Sequence, residues 1–252
     1  YSEDVPSPFP LDFKTDHVYW ETVRGCLFSC IYCAHPGKSK DARFVPMWRL
    51  ENEVDYLSKQ NLKAIYITDP ILGGTKTRSK EILKLLRKIK GPFITAEYRP
   101  EFLDEEIIDL IEEVGIGWLE LGLQTTNPSL SYFRNNTTNA LRNLENLGTR
   151  SVHYVLDLIV GIPGDTKEGF EESLRFAVED AKPKRINVFP LRVYEGTELH
   201  KMVEYDNSLK YDESTRIIQK SRTFDEAELG CWMQLGRTTA HLYRFLEENN
   251  WF

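Results

Sequence analysis

The chain has 252 residues, 41% of them hydrophobic, and a formal net charge of -7 with acids and bases mixed along its length. That is enough to bury one large core, and no basic stripe suited to nucleic acid is present. No apolar run approaches the ~18 residues of a membrane span, no signal-peptide pattern opens the chain, and four cysteines with three crowded together do not make a secreted disulfide framework. A cytoplasmic protein with reduced thiols, and with no nucleic-acid or membrane partner, is expected.

The first residue is Tyr, and the opening VPSPFPLDF has three prolines in nine residues. Residues 1–16 are therefore expected to form an extended arm or linker. Then strand-like and helix-like stretches alternate. HVYWETV (17–23) reads as a strand and PMWRLENEVDYLSKQN (46–61) as a helix, with Leu50, Val54 and Leu57 at helical spacing. LKAIYITD (62–69) is a buried-strand run, KEILKLLRKIK (80–90) an amphipathic helix stopped by Gly91 and Pro92, and FITAEY (93–98) a strand. DEEIIDLIEEVG (104–115) is a helix with acids at its positive end and a glycine stop. GWLELGLQT (117–125) is a strand, 127–148 a helix, and VHYVLDLIVGI (152–162) the most hydrophobic strand. TKEGFEESLRFAVEDA (166–181) is a helix capped by Thr166, RINVFPL (185–191) a sixth strand, and 225–249 a long final helix. This rhythm predicts an α/β fold with a parallel sheet, and such sheets present ligand sites at the C-terminal ends of their strands. The expected division is a barrel over 17–200 and a C-terminal helical cap over 201–252.

RGCLFSCIYCAHP (24–36) follows the first strand and holds Cys26, Cys30 and Cys33 in a C-x3-C-x2-C pattern. A closed zinc site wants four ligands, usually in separated pairs, and His35 is the only histidine nearby. A four-iron, four-sulfur cube held by three thiolates leaves one iron open for a ligand. Zinc, or chance clustering, is the alternative.

With Tyr32 in the aromatic position before Cys33, this stretch resembles the radical S-adenosylmethionine (SAM) superfamily. The resemblance implies a partial (β/α)6 TIM-like barrel, a [4Fe-4S] cluster on Cys26, Cys30 and Cys33, and SAM chelated through its methionine amino and carboxylate groups. It further implies one-electron cleavage of the sulfonium to a 5′-deoxyadenosyl radical, which takes a hydrogen atom from a substrate. ITDPILGG (67–74) stands at the family's second-strand motif, where the usual Gly-Gly-Glu gives way to Asp69 and a later Gly73–Gly74. There the glycine backbone is expected to receive the methionine amino group, with Asp69 as helper. TAEYRPE (95–101) puts Glu97 and Arg99 two apart, on one face of a strand, for the ribose hydroxyls and methionine carboxylate. Gln124 ends the fourth strand facing the barrel interior. DLIVGIPGDT (157–166) brings Gly161 close to adenine, and the backbone at Val188–Phe189 lines it from the sixth strand.

The motif series resembles the branch containing cobalamin-binding radical SAM proteins and their relatives that epimerise or excise the backbone of ribosomally made peptides. None of the five histidines lies in a D-x-H-x-x-G corrinoid loop, so cobalamin is expected only with an upstream domain. After the cluster takes three thiols only Cys231 remains, which rules out a second cysteine-ligated cluster within this sequence. The expected substrate is a ribosomally made peptide, epimerised or excised at its backbone, or another organic molecule, and the alternative within the same chemistry is a cobalamin-dependent methyltransferase or ring-forming enzyme with an upstream corrinoid domain. An external electron donor such as flavodoxin or ferredoxin is expected, with a separate leader-peptide-binding protein as a further partner. Cys231 shares a helix face with Leu235, Thr238, Leu242 and Phe245. It is either a small core residue or the hydrogen-atom donor that a peptide epimerase needs at the barrel mouth. Trp232, Tyr243 and Trp251 are candidates for an aromatic substrate wall or for a docked helix face. The rival of another class is an iron–sulfur electron carrier or sensor.

Overall fold

The computed structural model describes residues 15–35, 42–134 and 138–249. Most of the expected arm, and Trp251, lie outside these. Six strands form one sheet in chain order: β1 (His17–Trp20), β2 (Ala64–Ile67), β3 (Phe93–Tyr98), β4 (Ile116–Gln124), β5 (Tyr154–Val160) and β6 (Arg185–Pro190). Every neighbouring pair is parallel. Helices α1 (Met47–Leu57), α2 (Lys76–Leu86), α3 (Glu105–Val114), α4 (Thr138–Leu147) and α5 (Lys167–Phe176) fall between successive strands. Winding always in one direction curls such a sheet into part of a barrel, which is the predicted architecture.

The side-chain alternation of each strand separates an inner wall from a helix-facing wall. On β1, Val18 and Trp20 are buried while His17 and Tyr19 are exposed. Trp20 Nε1 donates to Glu53 of α1 at 2.8 Å, and Glu53 accepts from Arg49 at 2.9 Å. The tryptophan thus points to the helix layer, and His17 and Tyr19 face the barrel interior. The same parity on β3 sends Ile94, Ala96 and Tyr98 outward and leaves Thr95 and Glu97 inside.

The helix boundaries follow local chemistry. Thr75, Asp104 and Thr166 each accept a backbone N–H three residues on, capping α2, α3 and α5. Gly115 ends α3 in the left-handed region, at φ 72°. Within the span 127–148 expected as one helix, Asn127 caps a 3₁₀ turn at Pro128–Leu130, a single α-helical turn follows at Ser131–Arg134, and α4 covers Thr138–Leu147. Pro128 can open a helical turn, and the Asn127 side chain accepts the Ser129 N–H, so the segment starts as a 3₁₀ turn.

The C-terminal segment differs from expectation. After α6 (Glu198–Tyr205) a small hairpin pairs Lys210–Tyr211 with Ile218–Lys220, and then comes α7 (Glu226–Glu248). Asp225 and Glu228 form a full capping box at its start. This helix does not cap the mouth. It packs on β6 from outside: a methyl group at Gly236 would stand 2.7 Å from Val188 Cγ1 and 3.0 Å from Phe170. Close approach needs glycine there, and α7 takes the place of an outer barrel helix.

One carboxylate joins the first two strand ends. Asp69 is buried and accepts from the backbone N–H of Thr22 (2.7 Å), Val23 (3.1 Å) and Gly73 (2.9 Å), and from the Thr22 hydroxyl. Val23–Arg24 then pairs with Arg43–Phe44, closing the base of the cysteine loop. Replacing Asp69 with Ala orphans three buried N–H groups, and the expected cost is about 3 kcal/mol. Asp69→Asn should rescue little, because its NH2 group confronts donors. Urea unfolding of the two variants beside the parent checks this.

Candidate active site

A hollow of 250 Å³ opens at the C-terminal ends of the strands, between the cysteine loop and the ends of β2 to β5. Cys26, Cys30 and Cys33 all line it and are half-buried, unbridged thiols. Burial pushes the Cys26 thiol up, and the neighbouring Cys30 and Cys33 add to this. Among the described residues no three His, Cys, Asp or Glu side chains converge as a single-ion site would require. A tetrahedral zinc would draw thiolates to within about 4 Å of one another. Three free thiols on one loop around the same hollow are the donor set of a [4Fe-4S] cluster that keeps one iron open for a ligand.

The loop is held in place from several sides. Gly25 opens it at φ 91°, and the Ile31 N–H donates to the Phe133 carbonyl at 3.4 Å. The Ile31 carbonyl accepts from Leu199 at 3.0 Å. Tyr32 stacks on Phe133 with 4.5 Å between centroids and lines the hollow. The His35 N–H donates to Cys33 Sγ at 3.4 Å, and Arg99 Nη1 lies 3.8 Å from Cys30 Sγ. The Arg99 guanidinium sits 3.9 Å over the Phe28 ring and pairs with Glu101 at 2.9 Å. Hydrogen bonds and positive charge near cluster thiolates favour their anionic form and raise the cluster's potential.

The structure brings together Glu97, Arg99 and Gln124 of the residues named from sequence, and all three line the hollow. Gln124 gets there by a bulge. Gly122 pairs with Asp157 and Gln124 with Leu158, so Leu123 is an extra residue, and Gln124 adopts φ 75°. A bulge at a strand end re-aims the side chain that follows it.

The other residues named from the sequence have the following surroundings. Asp69 spends its oxygens on Thr22, Val23 and Gly73 and does not line the hollow. Gly73 and Gly74 direct their N–H groups to Asp69 and to the Ile71 carbonyl, and that loop reaches the hollow through Thr68, Pro70 and Ile71. Gly161 makes room for packing: at its φ of 89° a methyl group would meet Ile218 at 2.9 Å and Leu229 at 3.0 Å. Val188 turns outward onto Gly236. Cys231 is exposed on the side of α7 away from the barrel, together with Leu235, Thr238, Leu242 and Phe245. The buried side of that helix is Leu229, Trp232, Gly236 and Tyr243. Trp232 packs on Phe224, and the Tyr243 hydroxyl donates to the Pro183 carbonyl, so neither forms a substrate wall. Cys231 is therefore neither a core residue nor placed to return a hydrogen atom across the barrel.

Two carboxylates in the hollow were not singled out from sequence, Glu120 and Asp157. Glu120 pairs in register with Glu97, and Asp157 meets Glu120 and accepts from the Asn187 amide at 2.9 Å. A signal was present: Asp157 is the one charge in the run YVLDLIV. Burial lifts the Glu97 carboxyl to about 7, with repulsion from Glu120 adding to it. Burial, and then Glu120, holds Asp157 well above the usual carboxylate range in spite of Asn187. Glu97 looks onto the open hollow and is partly relieved by solvent, whereas Asp157 is only 8% exposed.

Each of these groups has a folded-state pKa above its unfolded value, so the fold retains protons that the open chain has lost. The stability they contribute is present at low pH and falls as pH rises from about 4 to about 8. Asp157→Asn should flatten that decline. Urea midpoints across this range measure it, and parallel slopes in parent and variant would refute the assignment.

Residues 20–177 match the Radical SAM superfamily. Curated relatives include the ribosomal protein uS12 methylthiotransferase RimO of Clostridium botulinum (strain Loch Maree / Type A3), 28% identical over 85% of this chain and 52% of that protein. RimO of Synechococcus sp. (strain RCC307) is 27% identical over 71% of this chain and 39% of that protein. The chain thus spans about half the length, or less, of these relatives. Among solved structures, the radical SAM methyltransferase TsrM from Kitasatospora setae, with cobalamin and [4Fe-4S] cluster bound, aligns with a TM-score of 0.67. Identity there is 17%, over 84% of this chain and 45% of that one. The cobalamin-dependent SAM radical enzyme OxsB aligns with a TM-score of 0.64 and 15% identity, over 86% of this chain and 40% of that one. With more than half of its length matched, and the three thiols set around a hollow at the strand ends, this chain belongs to the radical SAM superfamily.

Proposed function

We propose that this radical SAM enzyme functionalises a carbon of an organic substrate by methyl or methylthio transfer, with an external one-electron donor. When bound, the cluster would supply one electron to cleave the SAM sulfonium, and the fragment released would take a hydrogen atom from the substrate to give 5′-deoxyadenosine, with the transferred methyl group coming from a second SAM and any sulfur from a donor outside this sequence. Cys26, Cys30 and Cys33 would hold the cluster. Arg99 would offset its negative charge beside Cys30, and Phe28 and Tyr32 would screen that side from water. Gln124 and Asp157 would receive hydroxyl groups of SAM, and Glu97 its cationic groups.

The convergence of the three thiols with Glu97, Arg99, Gln124 and Asp157 on one hollow supports the radical step. The transfer reading draws on the names of the relatives and fold neighbours, RimO, TsrM and OxsB. A peptide epimerase is less well supported, because that chemistry calls for a hydrogen donor opposite the radical. The sole non-cluster cysteine of the sequence faces away from the barrel.

Anaerobic reconstitution with iron, sulfide, SAM and a reductant should release 5′-deoxyadenosine, quantified by mass spectrometry. Cys30→Ala should bring it to background. Arg99→Met should retain the iron and lower the rate about tenfold. A parent protein that binds four irons yet releases no 5′-deoxyadenosine would favour an electron carrier.

A further inference from the structure

The inner wall continues below the hollow, and there it is aromatic. Tyr19 of β1 pairs with Tyr66 of β2, Tyr66 with Thr95 of β3, and Thr95 with Trp118 of β4. One layer therefore crosses four strands and carries three large rings. Tyr66 lies between two others, 5.1 Å from the Tyr19 ring at 24° and 6.0 Å from the His17 ring at 14°. Tyr19 is 73% exposed, although its strand neighbours Val18 and Trp20 are 2% and 1% exposed. Parallel sheets normally cover both faces, so an open aromatic shelf inside one is a surface on which something can rest.

The layer above is acidic. Glu97 follows Thr95 by two residues, Glu120 follows Trp118 by two, and the two glutamates pair in register. Two residues along a strand is about 6.6 Å, the thickness of a small organic group. Asp157 extends this wall on β5. The nearby cations do not neutralise it. Arg99 is engaged with Glu101 and the cysteine loop, and among the described residues Arg185, in register with Val155 on the far strand, forms no ion pair with the wall. His17 faces Asp16 at 3.7 Å and Lys63 pairs with the same aspartate.

Ring faces carry negative quadrupole density and attract cations, as do carboxylates. Tyr66 is stacked against both His17 and Tyr19, so the open ring face is that of Tyr19, and with Glu97 and Glu120 in the layer above it this part of the wall repels anions and is complementary to one kind of group. We propose that the inner wall seats the protonated amine of a small-molecule substrate, with the open Tyr19 ring along its floor and Glu120 as its carboxylate. This names the substrate class for the reading above and rests on it. Thr68, two residues after Tyr66, lines the hollow, so a molecule seated on the shelf lies next to the radical site.

Equilibrium dialysis of the reconstituted enzyme with SAM tests the seat, using phenethylamine and its near-isosteric anion 3-phenylpropionate as probes. The amine should bind about tenfold more tightly. Glu120→Gln should bring the two probes within about twofold, and Tyr19→Ala should weaken the amine about tenfold while Tyr19→Phe retains it. Tyr19 is exposed, so its loss should leave SAM binding unchanged. Equal binding of the probes, preference for the anion, or loss of SAM binding in Tyr19→Ala overturns the proposal. 5′-Deoxyadenosine release from the same preparations reports separately on the radical reading: its absence counts against that chemistry, while probe selectivity decides the seat.

Discussion

The Asp69 carboxylate sits where the loop after β2 meets the segment leaving β1, and it accepts three backbone N–H groups and a hydroxyl from both sides. Two of those N–H groups belong to Thr22 and Val23, a few residues before Cys26. A buried carboxylate is tolerated only when its oxygens are occupied, and here their occupation fixes the direction in which the cysteine loop departs. Gly74 completes the joint: a methyl group there would press on Phe44 at 3.0 Å and Val23 at 3.4 Å. The three thiols reach the strand ends because the base of their loop is clamped and its tip is tied to Phe133 and Leu199.

From that joint the barrel organises its inner wall in layers. Parallel register puts residues of equal height side by side, so charges and rings far apart in sequence become neighbours. Glu97 and Glu120 are 23 positions apart and paired. The raised pKa values of Glu97 and Asp157 follow from this: each is partly desolvated, and each faces another carboxylate. Carboxyl groups that ionise near neutrality, beside three thiols, are characteristic of a site where charge is exchanged with a ligand.

Much of the fold was readable from periodicity. The six strands, five of the intervening helices and the long final helix stand close to their expected places, because alternation and helical spacing report directly which side of an element is buried. The 3₁₀ turn after Asn127 was not read, since a capping side chain acts only locally. In the site, Glu97, Arg99 and Gln124 were legible from their spacing and motif. Glu120 escaped notice because its partner lies on another strand. Asp69 stands in a motif but ties two strand ends together, and what distinguishes a ligand contact from a structural one is the neighbour, which a motif does not name.

Cys231 is the clearest case. Helical spacing correctly grouped it with Leu235, Thr238, Leu242 and Phe245, yet a periodic stripe says only that residues share a face. On α7 two faces are apolar, and the one with Leu229, Trp232, Gly236 and Tyr243 won the barrel because Gly236 permits close approach to Val188. The sequence by itself determined the chemistry available: three thiolates on one loop, a parallel α/β rhythm, and no further cysteine pair for a second cluster. Only the tertiary structure decided which residues meet, because register across strands, the bulge before Gln124 and the choice of the buried helix face depend on contacts between segments distant in the chain.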